Sequence, residues 1–191
     1  MNKPEKLIKR LLERPEVKLL MELEKNSSVE TYEHSIAVAN LVAKMAYSME
    51  WLTEEYRREL VTGALLHDIG KVFIPFNLMH LPRRTTDAEF YIIKTHTAIS
   101  YQIVAPVFSE IVQNVCLLHH ERQNGSGYPG FCGEVPPEAL IVQVADIYNA
   151  LTQQRAYKEG YTKSQALEEM EGEVHENRLN SEYFAVLKNI L

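Results

Sequence analysis

The chain has 191 residues, 46% of them hydrophobic, and a formal net charge of −6. This length suffices for one domain with its own hydrophobic core. The acidic balance disfavours a nucleic-acid polymer as partner, because phosphate backbones attract clustered lysine and arginine. Two cysteines are too few for a disulfide framework, and no apolar run has the length of a signal peptide core or a membrane span. We therefore expect a cytoplasmic protein without membrane contact.

Apolar residues recur at helical spacing along nearly the whole chain, which predicts an all-α fold. Two short amphipathic helices are predicted at the start, separated by Pro15. We assign residues 1–25 to an N-terminal helical segment packed on the core. Residues 26–191 are assigned to one compact helical domain, and the fold as a whole to about seven to nine helices.

The first half of the domain contains two predicted helices that carry histidines. The polar residues at 26–28 offer an N-cap for a long helix, and His34 lies one turn into it. A second helix from Glu54 is expected to end at the pair His67 and Asp68, because Gly70 breaks the helical pattern. Both residues of the pair are therefore expected at a helix end.

The second half continues with helices and one long loop. A capping pattern at residues 86–89 predicts a helix that contains His96 and continues to Pro106. A further helix leads to His119 and His120. Residues 121–137 contain four glycines and three prolines, which predicts a loop of the length usually tied to function. Helices are then predicted from Pro137, from Thr162 and over residues 181–191.

Five of the seven histidines lie at predicted helix ends or on apolar helical faces rather than among surface charges. These are His34, His67, His96, His119 and His120. A single histidine in such a place is most often a core residue with a satisfied hydrogen bond. Several buried imidazoles each need a partner, however, and shared metal ions would satisfy them together.

Three carboxylates complete a candidate metal centre. Glu30 precedes His34 by four residues and shares its helix face. Asp68 diverges from His67 by about 100° on a regular helix, so it could bridge two ions, and Asp146 lies on a later apolar helix. Imidazole and carboxylate ligands without thiolates suit iron, manganese or zinc. Two such ions a few ångströms apart indicate hydrolysis of a phosphoester by a metal-bridged hydroxide.

An ordered series of motifs resembles the HD-GYP family between Glu30 and Lys158. The series comprises His34, His67-Asp68-Ile69-Gly70-Lys71, His96, His119-His120-Glu121, Gly125-Ser126-Gly127-Tyr128-Pro129, Ala145-Asp146-Ile147-Tyr148-Asn149-Ala150-Leu151, Arg155 and Tyr157-Lys158. The resemblance implies a bacterial helical phosphodiesterase that hydrolyses the second messenger cyclic di-GMP to linear pGpG and/or GMP. Two or three divalent metal ions are the implied cofactors.

The resemblance also implies roles for individual residues. The implied metal ligands are Glu30, His34, His67, Asp68, His96, His119, His120 and Asp146. Asp68 and Lys71 would act in catalysis, and Lys71, Arg155 and Lys158 would contact the phosphates. Gly127, Tyr128 and Pro129 match the signature loop, which faces the guanine or a protein partner.

The residues leave simpler interpretations open. Lys71, Arg155 and Lys158 are also the cations expected near helix C-termini, and Glu30 suits the first turn of its helix. The alternatives for function are an HD phosphohydrolase of another nucleotide and a catalytically weak module that binds a cyclic dinucleotide or a protein.

Three positions depart from the family pattern. Asn124 and Asn149 replace aspartates, and Phe76 replaces the aspartate that commonly follows Ile-Pro.

Overall fold

A computed structural model of the chain describes residues 2–79, 81, 83–154 and 160–191. These residues form α-helices and one 3-10 helix, and no strand occurs among them. The helices are α1 Lys3–Leu12, α2 Pro15–Ser27, α3 Val29–Ser48, α4 Glu54–Leu66, the 3-10 helix Ile69–Phe73, α5 Phe76–Met79, α6 Asp87–Lys94, α7 His96–Val104, α8 Glu110–Leu118, α9 Pro137–Thr152, α10 Lys163–His175 and α11 Ser181–Ile190. The predicted all-α class is confirmed.

The α-helices in the described part of the chain outnumber the about seven to nine that the sequence predicts. One reason is α5, a single turn without a capping signal. A second reason is a break at Thr95, where the sequence predicts one helix that continues to Pro106. The Thr95 hydroxyl donates to the carbonyl of Ile92 (2.6 Å), and Nδ1 of His96 contacts the carbonyl of Ile93 (2.6 Å). These bonds to i−3 carbonyls lie at the junction where α6 ends at Lys94 and α7 begins at His96.

The core is built around α3, α4, α8 and α9, which pack against one another. All residues of α4 from Leu60 to Leu66 and all residues of α9 from Glu138 to Asp146 are buried. A helix buried all round belongs at the centre of a domain. A Cβ on Gly63 would lie 2.9 Å from Cβ of Val115, so the glycine permits α4 and α8 to approach closely.

The N-terminal helices pack on the same core. Both α1 and α2 contact α3, and α2 also contacts the 3-10 helix. The predicted boundary at residue 25 falls within α2. The division into a 1–25 segment and a 26–191 domain stays a prediction.

The turn after α4 carries the pair His67 and Asp68 into the middle of the molecule. Gly70 makes this possible, because a Cβ there would lie 2.1 Å from the carbonyl oxygen of His96. Its amide also donates to the hydroxyl of Ser100 (2.8 Å). Gly70 therefore does more than end a helix: it lets the 3-10 helix pack directly on α7. None of the described helices has the length and apolar content needed to span a membrane.

Candidate metal centre

Asp68 lies at the centre of a group of histidine side chains contributed by four elements. Its Oδ1 faces Nε2 of His96 at 3.3 Å and Nε2 of His119 at 3.8 Å. Its Oδ2 faces Nε2 of His67 at 3.4 Å and Nε2 of His34 at 3.8 Å. The two oxygens of one carboxylate are thus directed at two different sets of imidazoles.

The ligating atoms form two groups, each with all its members' atoms within 4.8 Å of one another. The Asp68 group contains Asp68, His96, His119 and His120, and the Asp146 group contains His34, His67 and Asp146. Two ligand atoms about 2.1 Å from one ion lie roughly 3.4 Å apart at a tetrahedral angle. The 3.3 Å between Asp68 and His96 and the 2.9 Å between His34 and Asp146 are close to that spacing, so each group has the dimensions of a metal site.

The tautomers of three histidines fit metal binding as well. Nδ1 of His67, His96 and His119 contacts the backbone carbonyls of Ala64, Ile93 and Val115 at 2.8, 2.6 and 2.9 Å. A carbonyl only accepts, so the proton is on Nδ1 and each Nε2 has a free lone pair. All three Nε2 atoms are buried and have no hydrogen-bond partner in the described part of the chain. Burying such atoms unpaired is costly, and a divalent metal ion would satisfy them.

The protonation states favour the ligating forms. Burial lowers the pKa of His67 and His119, and it lowers that of His120 to about 3. These imidazoles are therefore neutral at neutral pH. Burial alone would raise the pKa of Asp68, but the attraction of the Lys71 ammonium outweighs it and holds the pKa well below its ordinary value.

His34 and Asp146 form a contact of their own within the Asp146 group. Nε2 of His34 lies 2.9 Å from Oδ1 of Asp146, and Nδ1 of His34 lies 2.7 Å from Oδ1 of Asn149. Burial disfavours the charged imidazole, but the bond and charge of Asp146 outweigh this and raise the pKa of His34. Asn149, a departure from the family pattern, thus contacts the ring of a candidate ligand from the side opposite the centre.

A cavity of about 210 Å³ opens onto both groups. Its lining includes His34, Asp68, Lys71, His120 and Asp146. Lys71 Nζ donates to Oδ2 of Asp68 at 2.5 Å, so this cation belongs to the centre and does not merely end a helix. Burial would lower the pKa of Lys71, but the attraction of Asp68 reverses the shift and keeps the amine charged.

Glu30 is placed differently from the other candidate ligands. It is exposed in the first turn of α3 and lines the same cavity, yet it belongs to neither group of ligating atoms. Its role as a ligand stays a prediction. Arg155 and Lys158, the other candidate phosphate contacts, lie outside the described residues.

The loop after His120 folds back over the centre. The amide of Tyr128 donates to the carbonyl of His120 (3.2 Å), and the Tyr128 ring stacks on the His120 ring with centroids 4.7 Å apart. A Cβ on Gly127 would lie 2.5 Å from the carbonyl oxygen of His120, so only glycine fits there. The buried carboxylate of Glu121 accepts from the amides of Gly130 (2.5 Å) and Phe131 (2.6 Å), which anchors the loop. Pro129 follows Tyr128 through a cis peptide bond.

Two residues near the centre were not identified from the sequence. In the sequence, Glu121 stands out only as part of a motif, whereas in the structure its carboxylate holds the loop. Glu24 of α2 is buried, and burial together with the charge of Asp68 raises its pKa to about 8. Its spacing from Val17 and Met21 continues the buried stripe of α2, which was the available signal. The other two departures lie further out: Asn124 accepts from the amide of Ser126 (3.1 Å), and Phe76 is exposed.

The fold and the two groups together define an all-helical domain with a histidine and aspartate centre for divalent metals. A protein-family model described as HD domain matches residues 15–182. The chain belongs to the HD-domain family, and its Gly-Tyr-Pro loop and relatives place it with the HD-GYP proteins.

Two curated relatives of the chain are named as phosphodiesterases of cyclic dinucleotides. The chain is 35% identical over 164 residues to cyclic di-GMP phosphodiesterase PA4108 of Pseudomonas aeruginosa, covering 84% of this chain and 39% of that protein. It is 34% identical over 164 residues to 3'3'-cGAMP-specific phosphodiesterase 1 of Vibrio cholerae, covering 82% of this chain and 37% of that protein. The chain therefore spans less than half the length of these relatives.

A solved structure agrees with the fold. Bd1817, an HDG"Y"P protein from Bdellovibrio bacteriovorus, superposes with a TM-score of 0.68 at 25% sequence identity. The superposition covers 82% of this chain and 51% of that one.

Proposed function

We propose that this chain is a metal-dependent phosphodiesterase that hydrolyses cyclic di-GMP to pGpG and/or GMP. The observation that carries the proposal is the pair of ligand groups that meet at Asp68, with three buried Nε2 atoms turned toward them. Relatives named for cyclic di-GMP and cGAMP hydrolysis support the class of substrate. We place the activity in the bacterial cytoplasm, where this second messenger acts.

The donor set suggests how the ions would be held. One ion would be bound by the Asp68 group, and a second by the Asp146 group with the other oxygen of Asp68. Neutral imidazoles and ionised carboxylates suit ferrous iron or manganese, and they also accept zinc. When bound, the ions supply Lewis acidity toward the oxygens of a phosphodiester.

The protein's own residues would orient the substrate and balance its charge. Lys71 is charged, lines the cavity and fixes Oδ2 of Asp68, so it would attract the phosphate and keep the carboxylate in place. Arg155 and Lys158 are proposed as further phosphate contacts. The anchored loop at Gly127, Tyr128 and Pro129 is proposed to face the nucleobase, or a protein partner in signal transduction.

Glu30 is proposed as ligand of a third ion. In that case Glu30→Gln should lose about one ion per chain while the two groups around Asp68 keep theirs. Elemental analysis of the reconstituted variant decides this, and an unchanged metal content would restrict Glu30 to a role in the first turn of α3.

The experiment that tests the proposed function is turnover by anaerobically purified protein reconstituted with ferrous iron or manganese. We expect chromatography to show pGpG or GMP formed from cyclic di-GMP, and no product after chelation. Running cyclic GMP–AMP beside it separates the two substrates named for the relatives. Full metal loading without hydrolysis of either substrate would overturn the proposal and favour a binding module.

A further inference from the structure

A lysine and two aromatic rings form a small surface beside the metal centre. Nζ of Lys94 lies 4.6 Å from the centroid of the Phe90 ring and 5.4 Å from that of Tyr128. The two rings are nearly perpendicular, with centroids 6.1 Å apart. Phe90, Lys94 and Tyr128, here called the aromatic rim, thus bring together α6 and the long loop.

The aromatic rim adjoins the candidate ligands directly. Tyr128 stacks on His120, which lines the cavity, and its ring lies 6.3 Å from that of His96. The ring-to-ring steps from His120 to Tyr128 and from Tyr128 to Phe90 are 4.7 and 6.1 Å. A nucleotide whose phosphate lies in the cavity therefore has the length to place its base on the rim.

The size of the cavity requires such an outer surface. Its volume of about 210 Å³ is below the roughly 300 to 1,000 Å³ of pockets that enclose drug-sized ligands. A cyclic dinucleotide has two phosphates, two sugars and two purines, so the cavity holds the reacting phosphodiester and the bases must lie outside it. Phe90, which is 42% exposed, offers an aromatic face in that region.

A cation next to a purine edge can distinguish guanine from adenine. Among residues 2–79, 81, 83–154 and 160–191, Lys94 forms no ion pair with a carboxylate, and its ammonium group lies over the rings of Phe90 and Tyr128. No carboxylate therefore competes with a ligand for its hydrogens. Guanine presents two acceptors, O6 and N7, on one edge, whereas adenine presents one acceptor and a donor. An ammonium group beside an aromatic face therefore favours guanine.

We propose that Phe90 and Lys94 form a guanine-binding subsite on the rim of the metal centre, with Phe90 stacking on the base and Lys94 donating to its O6 and N7. The proposal rests on the proposed function, because it assumes that a phosphodiester of a guanine nucleotide occupies the cavity. It adds a determinant of base specificity outside the series of motifs.

The test uses metal-loaded protein and two mononucleotides, GMP and AMP, which bind without turnover. We expect Lys94→Met to weaken GMP binding by about 5- to 150-fold and AMP binding by a smaller factor, so that the preference for GMP falls. Phe90→Leu should weaken GMP binding and AMP binding by similar factors, about 5- to 150-fold, because stacking does not distinguish the bases. Metal content should equal that of the wild type in both variants, and KM for cyclic di-GMP should rise more than kcat falls.

The chain offers a matched control in Phe184 and Lys188. This pair has the same spacing in the sequence and the same 4.6 Å cation–ring distance, but it lies on α11. Lys188→Met should leave both dissociation constants unchanged.

Two outcomes would overturn the subsite. Equal losses of GMP and AMP binding in Lys94→Met would show a general charge effect, and unchanged binding in both rim variants would remove the residues from the site. If the wild type hydrolyses cyclic di-GMP in either case, the proposed function stands and only the subsite fails. If metal-loaded wild type binds neither nucleotide and hydrolyses no cyclic dinucleotide, both proposals fail.

Discussion

Replacing Asn149 tests how the surroundings of a ligand control metal binding. Its Oδ1 lies 2.7 Å from Nδ1 of His34, whose side chain is only 9% exposed. Asn149→Leu removes this acceptor and leaves a buried ring N–H without its partner. The cost of an unsatisfied buried donor is about 1 to 3 kcal/mol, which corresponds to roughly 5- to 150-fold in an equilibrium constant. When a metal-bound histidine loses the hydrogen-bond partner of its other ring nitrogen, the affinity for the metal typically falls by about 10- to 100-fold.

We expect only the ion bound by the Asp146 group to lose affinity. The Asp146 group contains His34, whereas the Asp68 group is held by other histidines. Asn149→Asp should bind the affected ion at least as tightly as the wild type, because a carboxylate accepts the same hydrogen bond with charge assistance.

Competition with a chromophoric chelator measures the two manganese affinities separately in each variant. Asn40→Ala is a suitable control, since that amide donates to the carbonyl of Ile36 within α3 (2.8 Å). Equal weakening of both ions in Asn149→Leu, or no weakening of either, would refute the reasoning.

Two further predictions concern stability. Gly70→Ala should destabilise the fold by at least about 1 to 3 kcal/mol, because its Cβ would meet the backbone of His96. Gly172→Ala in α10, where a Cβ meets no atom within 4 Å, should be neutral or stabilise the fold by up to about 1 kcal/mol. Thermal unfolding checks both, and equal melting temperatures for the two variants would contradict the packing described. Glu24 has a pKa raised to about 8, so the folded state binds its proton more tightly than the unfolded state and stability falls as pH rises from about 4.5 to 8. Glu24→Gln removes this loss of stability. In denaturant unfolding of the metal-free protein, the free energy of unfolding of this variant relative to the wild type should therefore rise by up to about 1.4 kcal/mol per pH unit across that range. A difference that does not change with pH would show that Glu24 is ionised in the fold.

Much of the helical framework follows from local signals in the sequence. Ser28 caps α3, Thr53 caps α4 and Pro137 opens α9, and each of these starts depends on a few neighbouring residues. The placement of His67 and Asp68 beyond the last turn of α4 was predictable for the same reason. The break at Thr95 was not, because an apolar stripe continues through it and the side-chain bonds to the carbonyls of Ile92 and Ile93 are visible only in the structure.

The details of the centre depend on contacts between distant parts of the chain. His34 and Asn149 are 115 residues apart, and no local pattern pairs them. The close approach of Gly70 to His96 and the burial of Glu24 beside the 3-10 helix likewise arise from how the helices pack. Residue types and spacing therefore indicated the candidate ligands, whereas the partners that orient them required the fold.

The most direct test of the account is a titration of manganese into metal-free protein that follows bound metal and cyclic di-GMP hydrolysis in the same samples. We expect no hydrolysis without metal and activity that develops as the bound metal approaches two ions per chain. In Asp68→Ala the second ion should be lost together with turnover, because Asp68 faces both groups. Saturation below one ion per chain, or wild-type turnover in Asp68→Ala, would contradict a phosphodiesterase centre built around Asp68.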